Sequence, residues 1–331
     1  MTRIANETHF EEHIVNQLVA NGYLQRNPED YDRKDALLKF DLIDFLKDTQ
    51  MEEYQKLVNE TGSEEMAQRS LFARIRTELQ RGTLNVLRNP QFEAGFGCRF
   101  QLIYYKPASG LSVDAQQKYA HNRVSVVRQL RYSVREEYAT NEIDLVIFVN
   151  GFPVATFELK NKQTGQTYMN AIKQYMTNRR VDGEPLLAFK RCLVHFAMGT
   201  EQVYMTTKLD GDKTRFFPFN ITYQNEGVCS ELGDPYRVSY MWEDVLQKDS
   251  LLQLIQSFVN PQVVSEPVYD EKTRMVVNKE TEVLIFPRYH QRRAVRNLVA
   301  DAQQRGAGHK YLIQHSAGSG KSNTIAWLAY A

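Results

Sequence analysis

Nowhere in the 331 residues does an apolar run approach the ~18 needed to cross a bilayer, and the opening MTRIANETHFEEH has no apolar segment of the kind that directs secretion. Membrane-spanning and secreted classes are set aside on that ground. Cysteine is scarce: Cys98, Cys192 and Cys229 are odd in number and far apart, with no pair at zinc-ligand spacing. They read as core thiols in a reducing cytoplasm. An excess of either charge is also missing, since 41 Lys and Arg face 40 Asp and Glu, so any contact with nucleic acid must rest on local patches. What remains, 42% hydrophobic and 24% charged, is an ordinary globular composition, long enough for one large domain and part of another.

Helical spacing dominates the first 95 residues. Phe10, Ile14 and Leu18 share one stripe of a helix over 7–21 that Gly22 can stop, and further helices are expected around 35–48, 50–60 and 64–80. From about residue 98 the period changes to two, in RFQLIYY and NRVSVVRQLRYS, with PASGLSVD as a loop between them. A crossover helix, GQTYMNAIKQYMTNRR, follows Lys160; its terminal Arg179 and Arg180 either lie along a phosphate backbone or form a solvated helix end. RCLVHFAMG and QVYMTTKL read as strands, with His195 as a satisfied core histidine, and FFPFNITY as a turn or short strand. LLQLIQSFV is a helix, and the polar, proline-bearing 261–285 is a linker holding the domain boundary. The expected architecture is therefore α/β: a helical region over about 1–95, a sheet core over about 96–260, and a second domain starting at 286.

Chemistry concentrates in NEIDLVIFVNGFPVATFELKNK, residues 141–162. Two β-rich runs flank Asn150-Gly151, a strong hairpin signal. Glu158 and Lys160 share one face of the second strand. A two-residue turn sets Asp144 opposite Phe157, on the wrong face; a three-residue loop, Asn150 to Phe152, sets it across from Glu158. A three-residue loop with a glycine bulge, or an equivalent bulge elsewhere in the hairpin, is therefore predicted. Two converging carboxylates repel unless a cation lies between them, and hard oxygen ligands suit Mg²⁺. Asp144 and Glu158 are the candidate ligands, with the Leu159 carbonyl as an added one, and Lys160 can orient a water or offset charge on phosphorus oxygens. The alternative is a strand-end salt bridge. Acid-x-Lys triplets at Asp32-Arg33-Lys34 and Asp270-Glu271-Lys272 lie in polar surroundings and read as solvated segments.

The last stretch places an amphipathic helix, FPRYHQRRAVRNLVADAQQRG, before a strand HKYLIQ and the loop HSAGSGKS. Strand, glycine loop and helix form a phosphate-binding loop in its usual setting, in which Gly318, Ser319 and Gly320 let amides cradle phosphates, Lys321 reaches β/γ oxygens and Ser322 holds Mg²⁺. His315 stands where Gly or Ala is usual. The motor is incomplete within these residues, so no ATP hydrolysis by this chain alone is expected.

The Asp144…Glu158-x-Lys160 pattern resembles the signature of restriction-endonuclease-like nucleases, and Phe286 to Gln291 resembles the adenine-reading Q motif of superfamily 2 helicases. FEEHI, GTLNVLRN, YKPASG, NRVSVVRQLRYS, NEIDLVIFVNGFPVATFELKN, VYMTTKL, FFPFN, FPRYHQRRAV and HSAGSGKS together resemble the restriction (R) subunit of Type I restriction–modification enzymes over nearly the whole chain. That resemblance implies a restriction-endonuclease-like mixed sheet flanked by helices, followed by the first elements of a RecA-like P-loop domain. It implies catalytic Asp144, Glu158 and Lys160, metal held by Asp144 and Glu158, and ATP with Mg²⁺ at Gln291 and Gly318 to Ser322. Double-stranded DNA and the methyltransferase and specificity subunits would be partners, in a prokaryotic cytoplasm. Relatives carry Gln-x-x-x-Tyr after the lysine; Gln174 matches, whereas the tyrosine position holds Asn178 and a tyrosine stands at Tyr175. The opening helix of such folds can bring an acid to the metal; Glu11 is either that acid or an exposed helix residue.

Overall fold

The computed structural model describes residues 7–107, 111–222, 227–270, 274–306, 308–316 and 318–330, which fall in two compact units, Met1–Gln256 and Ser257–Ala331. In the first unit the stripe of α1 (Glu7–Ala20) is buried, with Phe10, Ile14 and Leu18 at 1% exposure or less. The short β1 (Leu24–Arg26) follows. The helices expected at 35–48 and 50–60 are one element, α2 (Lys39–Thr61), bent at Gln50. Ser63 caps α3 (Glu64–Glu78) by accepting from the Met66 amide, and α4 (Thr83–Arg88) comes next.

RFQLIYY does not open the main sheet. Only β3 (Cys98–Phe100) is extended there, and it pairs with β2 (Phe92–Gly95) in a separate ribbon. Of the expected loop 107–114, Ala108 to Gly110 lie outside the described residues, and α5 (Val113–Ala120) starts within its end, capped by Ser112. Then come β4 (Val124–Arg131), β5 (Glu142–Val149) and β6 (Phe152–Leu159), α6 (Tyr168–Thr177), and β7 (Val194–Met198), β8 (Val203–Thr206) and β9 (Phe217–Pro218). Tyr223, the end of FFPFNITY, lies outside the described residues.

The sheet is mixed, seven strands in the order β1-β4-β5-β6-β7-β8-β9. Pairing is parallel for β1 with β4 and β6 with β7, and antiparallel elsewhere. Because β1 is its edge strand, the region expected to be only helical contributes to the sheet. Val127, Val146 and Phe148 pack with Ala171 and Tyr175 of α6 and with Leu186 and Leu187 in one buried cluster. The opposite face meets α1, whose Glu11 reaches Arg128. A large mixed sheet flanked by helices is therefore observed. The unit closes with α7 (Lys248–Gln253).

The second unit departs further from expectation. Residues 261–285, expected as a linker, form a regular antiparallel ribbon of β10 (Asn260–Asp270) and β11 (Met275–Ile285). Val263, Val264, Val268 and Tyr269 in one arm and Val276, Val277, Thr281 and Val283 in the other supply the β propensity that the polar composition masked. After α8 (Tyr289–Arg305), the expected strand HKYLIQ is not formed: 309–314 have no strand pairing, and Leu312 is 97% exposed. A buried parallel strand needs neighbours on both sides, and among the described residues of this unit none flanks it. α9 (Lys321–Ala329) follows the glycine loop. Among the described residues no helix is long and apolar enough to cross a membrane.

Candidate active site

The turn between β5 and β6 is a two-residue one, so the three-residue loop is not formed: Val149 pairs with Phe152 and Phe148 with Pro153. Asn150 and Gly151 both take positive φ, 48° and 83°, as a hairpin turn of matching twist requires. Asn150 is wholly buried, its side chain accepting from the Arg123 amide and donating to Leu102 O and Asn122 Oδ1. The register then shifts, and Ile147 pairs with Ala155, Val146 with Thr156 and Leu145 with Phe157. Val154 is the extra residue, and its carbonyl accepts from Leu193 at 2.9 Å. The bulge thus lies inside β6 instead of at the turn. Continued one step, this register sets Asp144 across from Glu158, on the face that carries Val146, Thr156 and α6.

Four side chains meet there. Asp144 Oδ2 accepts from the Leu159 amide at 2.6 Å. Glu158 is fully buried, and the Arg179 guanidinium grips both of its oxygens, Nε to Oε1 at 2.6 Å and Nη2 to Oε2 at 3.2 Å. Burial first, then the charge of Asp144, pushes the Glu158 carboxyl up to about 8, against the pull of Arg179 and Lys160. Lys160, 7% exposed, donates from its amide to Met198 O and from Nζ to Leu159 O, both at 2.9 Å. The Leu159 carbonyl, a candidate ligand in the sequence, is therefore the lysine's acceptor.

Arg179 is the residue that sequence reasoning missed. It was expected on a phosphate backbone or at a solvated helix end; it is 8% exposed and held by Glu158, whereas Arg180 is exposed and lies over the Tyr138 ring. Its place directly after the crossover helix was the available signal, because a chain returning over the sheet there passes above the acid-bearing strand. Gln174 is half-buried on α6. Tyr175 lies in the core: its hydroxyl meets Thr156 Oγ1 at 2.7 Å, and Thr156 meets His195 Nδ1 at 2.7 Å. His195, 2% exposed, is a core histidine whose imidazole burial pushes down to about 3. Glu11 is not an exposed helix acid; it is buried, bound by Arg128 at 2.7 Å, and feels the charge of Asp144. Arg128 pairs with Leu145, so this ion pair stands on the opposite sheet face from Val146.

The donor chemistry fits a hard divalent cation, with two carboxylates on one face and one of them driven toward its neutral form until positive charge is supplied. Among the described residues no group of three or more His, Cys, Asp or Glu is placed to hold a metal, so water would complete such a shell. Of the competing triplets, Asp32 binds Lys39 at 2.7 Å, and Glu271 and Lys272 lie outside the described residues.

In the second unit, Gly318 and Gly320 have φ of 69° and 78°, and Lys321 begins α9. Gln291 donates to Ser319 O at 3.0 Å and Gly320 O at 2.9 Å, while its Oε1 accepts from the Arg288 amide at 2.8 Å. Ser319 is buried, Ser322 is exposed, and Lys321 Nζ reaches His315 O at 3.4 Å. Ala317 of this loop lies outside the described residues.

A mixed sheet flanked by helices, with a carboxylate pair and a lysine at one strand end, is compatible with a nuclease-like fold. Residues 4–214 match the family of the Type I restriction enzyme R protein N terminus, and the chain belongs to that family. It is also similar to a protein of Methanocaldococcus jannaschii named "Putative type I restriction enzyme MjaIXP endonuclease subunit", at 24% identity over 205 residues, 56% of this chain and 18% of that protein. The chain thus spans less than a fifth of that relative's length.

Proposed function

We propose that this chain carries the DNA-cleaving centre of an ATP-dependent Type I restriction enzyme, hydrolysing phosphodiester bonds with Asp144, Glu158 and Lys160. The observation that carries the reading is the bulge at Val154, which brings Asp144 into register with Glu158 on one sheet face. Asp144 and Glu158 would hold Mg²⁺, which when bound supplies polarisation of a phosphodiester oxygen and a lowered pKa for bound water. Lys160 orients the attacking water or offsets charge growing on the phosphorus oxygens. The Leu159 amide fixes one Asp144 oxygen and Arg179 fixes Glu158, so both acids are oriented before substrate arrives.

The same reading makes the second unit the beginning of a RecA-like translocating motor. Gln291, Gly318, Ser319, Gly320, Lys321 and Ser322 would bind ATP with Mg²⁺, and Gln291 ties the adenine-reading helix to the phosphate loop. Sequence recognition and methylation belong to partner subunits. Two measurements test the nuclease. Mn²⁺ titrated into the chain should bind at a site lost in Asp144→Ala. The assembled enzyme carrying Lys160→Ala should translocate double-stranded DNA without cutting it, and normal cleavage by that variant would refute the catalytic assignment.

A further inference from the structure

Arg179 is held more tightly than a DNA-tracking arginine needs to be. It leaves the end of α6, turns into the core and closes a two-pronged contact on Glu158, with side-chain exposures of 7% and 0% for the pair. A guanidinium fork matched to both oxygens of a carboxylate is among the strongest ionic hydrogen-bond arrangements. Here it occupies one lone pair on each oxygen of a carboxylate proposed as a metal ligand.

The formal charges around Glu158 make the consequence specific. Asp144 and Glu158 contribute two negative charges; Lys160 and Arg179, both of which act on Glu158, contribute two positive ones. Across the sheet, Glu11 is matched by Arg128. With both acids ionised, the form a metal requires, the cluster is neutral. A divalent ion entering alone would leave a surplus of two positive charges in a buried place, beside the guanidinium that already holds Glu158. Charge separation of that kind is costly where solvent is excluded. A phosphodiester adjoining the site lowers the surplus, and its oxygens complete the shell of a hard cation.

We infer that Arg179 is a positioning residue that serves as the internal counter-cation of Glu158, and that it makes divalent-metal binding conditional on a DNA phosphate at the site. The inference rests on the nuclease reading above and adds to it the order in which ion and substrate are held. Without DNA the acids are kept in place and hydrogen-bonded, and free metal binds only weakly. With DNA the ion and the phosphate bind together, which restricts the cutting centre to its substrate.

Mn²⁺ binding followed by electron paramagnetic resonance tests this on the full 331-residue chain, without ATP, with and without a short DNA duplex. The proteins are the wild type, Arg179→Met and Arg179→Lys, with Asp144→Ala as the blank. The wild type should bind Mn²⁺ weakly alone and at least tenfold more tightly with duplex. Arg179→Met should bind Mn²⁺ at least tenfold more tightly than the wild type without DNA, and Arg179→Lys, which keeps the charge, should stay near the wild type. An Asp144-dependent site whose affinity is unchanged or weakened in Arg179→Met overturns the inference and leaves the nuclease reading standing. If Arg179→Met does not fold, equal wild-type affinity with and without duplex overturns it instead. No Asp144-dependent Mn²⁺ signal in any sample overturns the nuclease reading itself.

Discussion

Replacing Gly151 by alanine strains the hairpin that carries both acids at the point where it can least yield. At φ +83° a side chain brings the ordinary left-handed penalty, about 1–2 kcal/mol. A Cβ there would also stand 2.3 Å from Leu38 O, 3.2 Å from Leu42 N and 3.3 Å from Leu38 C, all backbone atoms at the start of α2. Relief requires moving that helix end, which breaks the 2.9 Å hydrogen bond from Leu38 N to Gly151 O. Overpacking of about 1–3 kcal/mol and the lost bond of about 0.5–1.5 kcal/mol give roughly 2–4 kcal/mol beyond the φ penalty. Gly165 is the control, because its φ is similar, +79°, and a Cβ there meets nothing within 4 Å. Urea unfolding followed by far-ultraviolet circular dichroism should place Gly151→Ala about 2–4 kcal/mol below Gly165→Ala, a large part of a typical total stability of about 5–15 kcal/mol. If the two variants agree within about 0.5 kcal/mol, the close approach of turn and helix is not rigid and the reasoning fails.

Thiol labelling should separate the cysteines: exposed Cys229 reacts with Ellman's reagent in the native protein, while buried Cys98 and Cys192, whose thiols burial pushes up, react only in denaturant. Thr156→Val removes the shared partner of Tyr175 and His195 and should cost about 1–3 kcal/mol by leaving buried polar atoms unpaired; combining it with Tyr175→Phe should cost less than the sum of the two changes, and strict additivity would contradict the network. His195 has its pKa depressed from 6.5 to about 3, so its contribution to stability is present above 6.5 and is lost as pH falls toward 3. Stability measured across that window should fall by up to about 4–5 kcal/mol from this group, and His195→Gln should flatten the slope; an unchanged slope would show that another group sets it.

The hairpin was legible in the sequence because Asn150-Gly151 is a local signal, and the need for a bulge followed from requiring both acids on one face. The bulge's address was not legible, because Val154 is fixed by an amide from Leu193, a residue distant in sequence that lies just before β7. Arg179 shows the same limit: its charge suggested solvent or phosphate, and only the packing of α6 reveals that it faces a buried acid. Alternation in short polar segments misled in both directions. It overlooked β1, which is three residues long, and the ribbon of β10 and β11, yet offered HKYLIQ as a strand. Strand formation depends on neighbours that local pattern does not contain.

The pairing of β1 with β4 bears on the order of assembly. β4 and β5 are joined by residues 132–141, and β5 and β6 by a tight turn, whereas residues 27–123 lie between β1 and β4. Closing a connection of about 100 residues instead of about 10 costs roughly 2 kcal/mol more in chain entropy. The central strands bearing the two acids are therefore expected to collapse early, and the amino-terminal edge to dock late, after α2 to α5 have condensed between them. A destabilised edge would then be felt as faster unfolding of the amino-terminal segment, with the acid-bearing strands the last to let go.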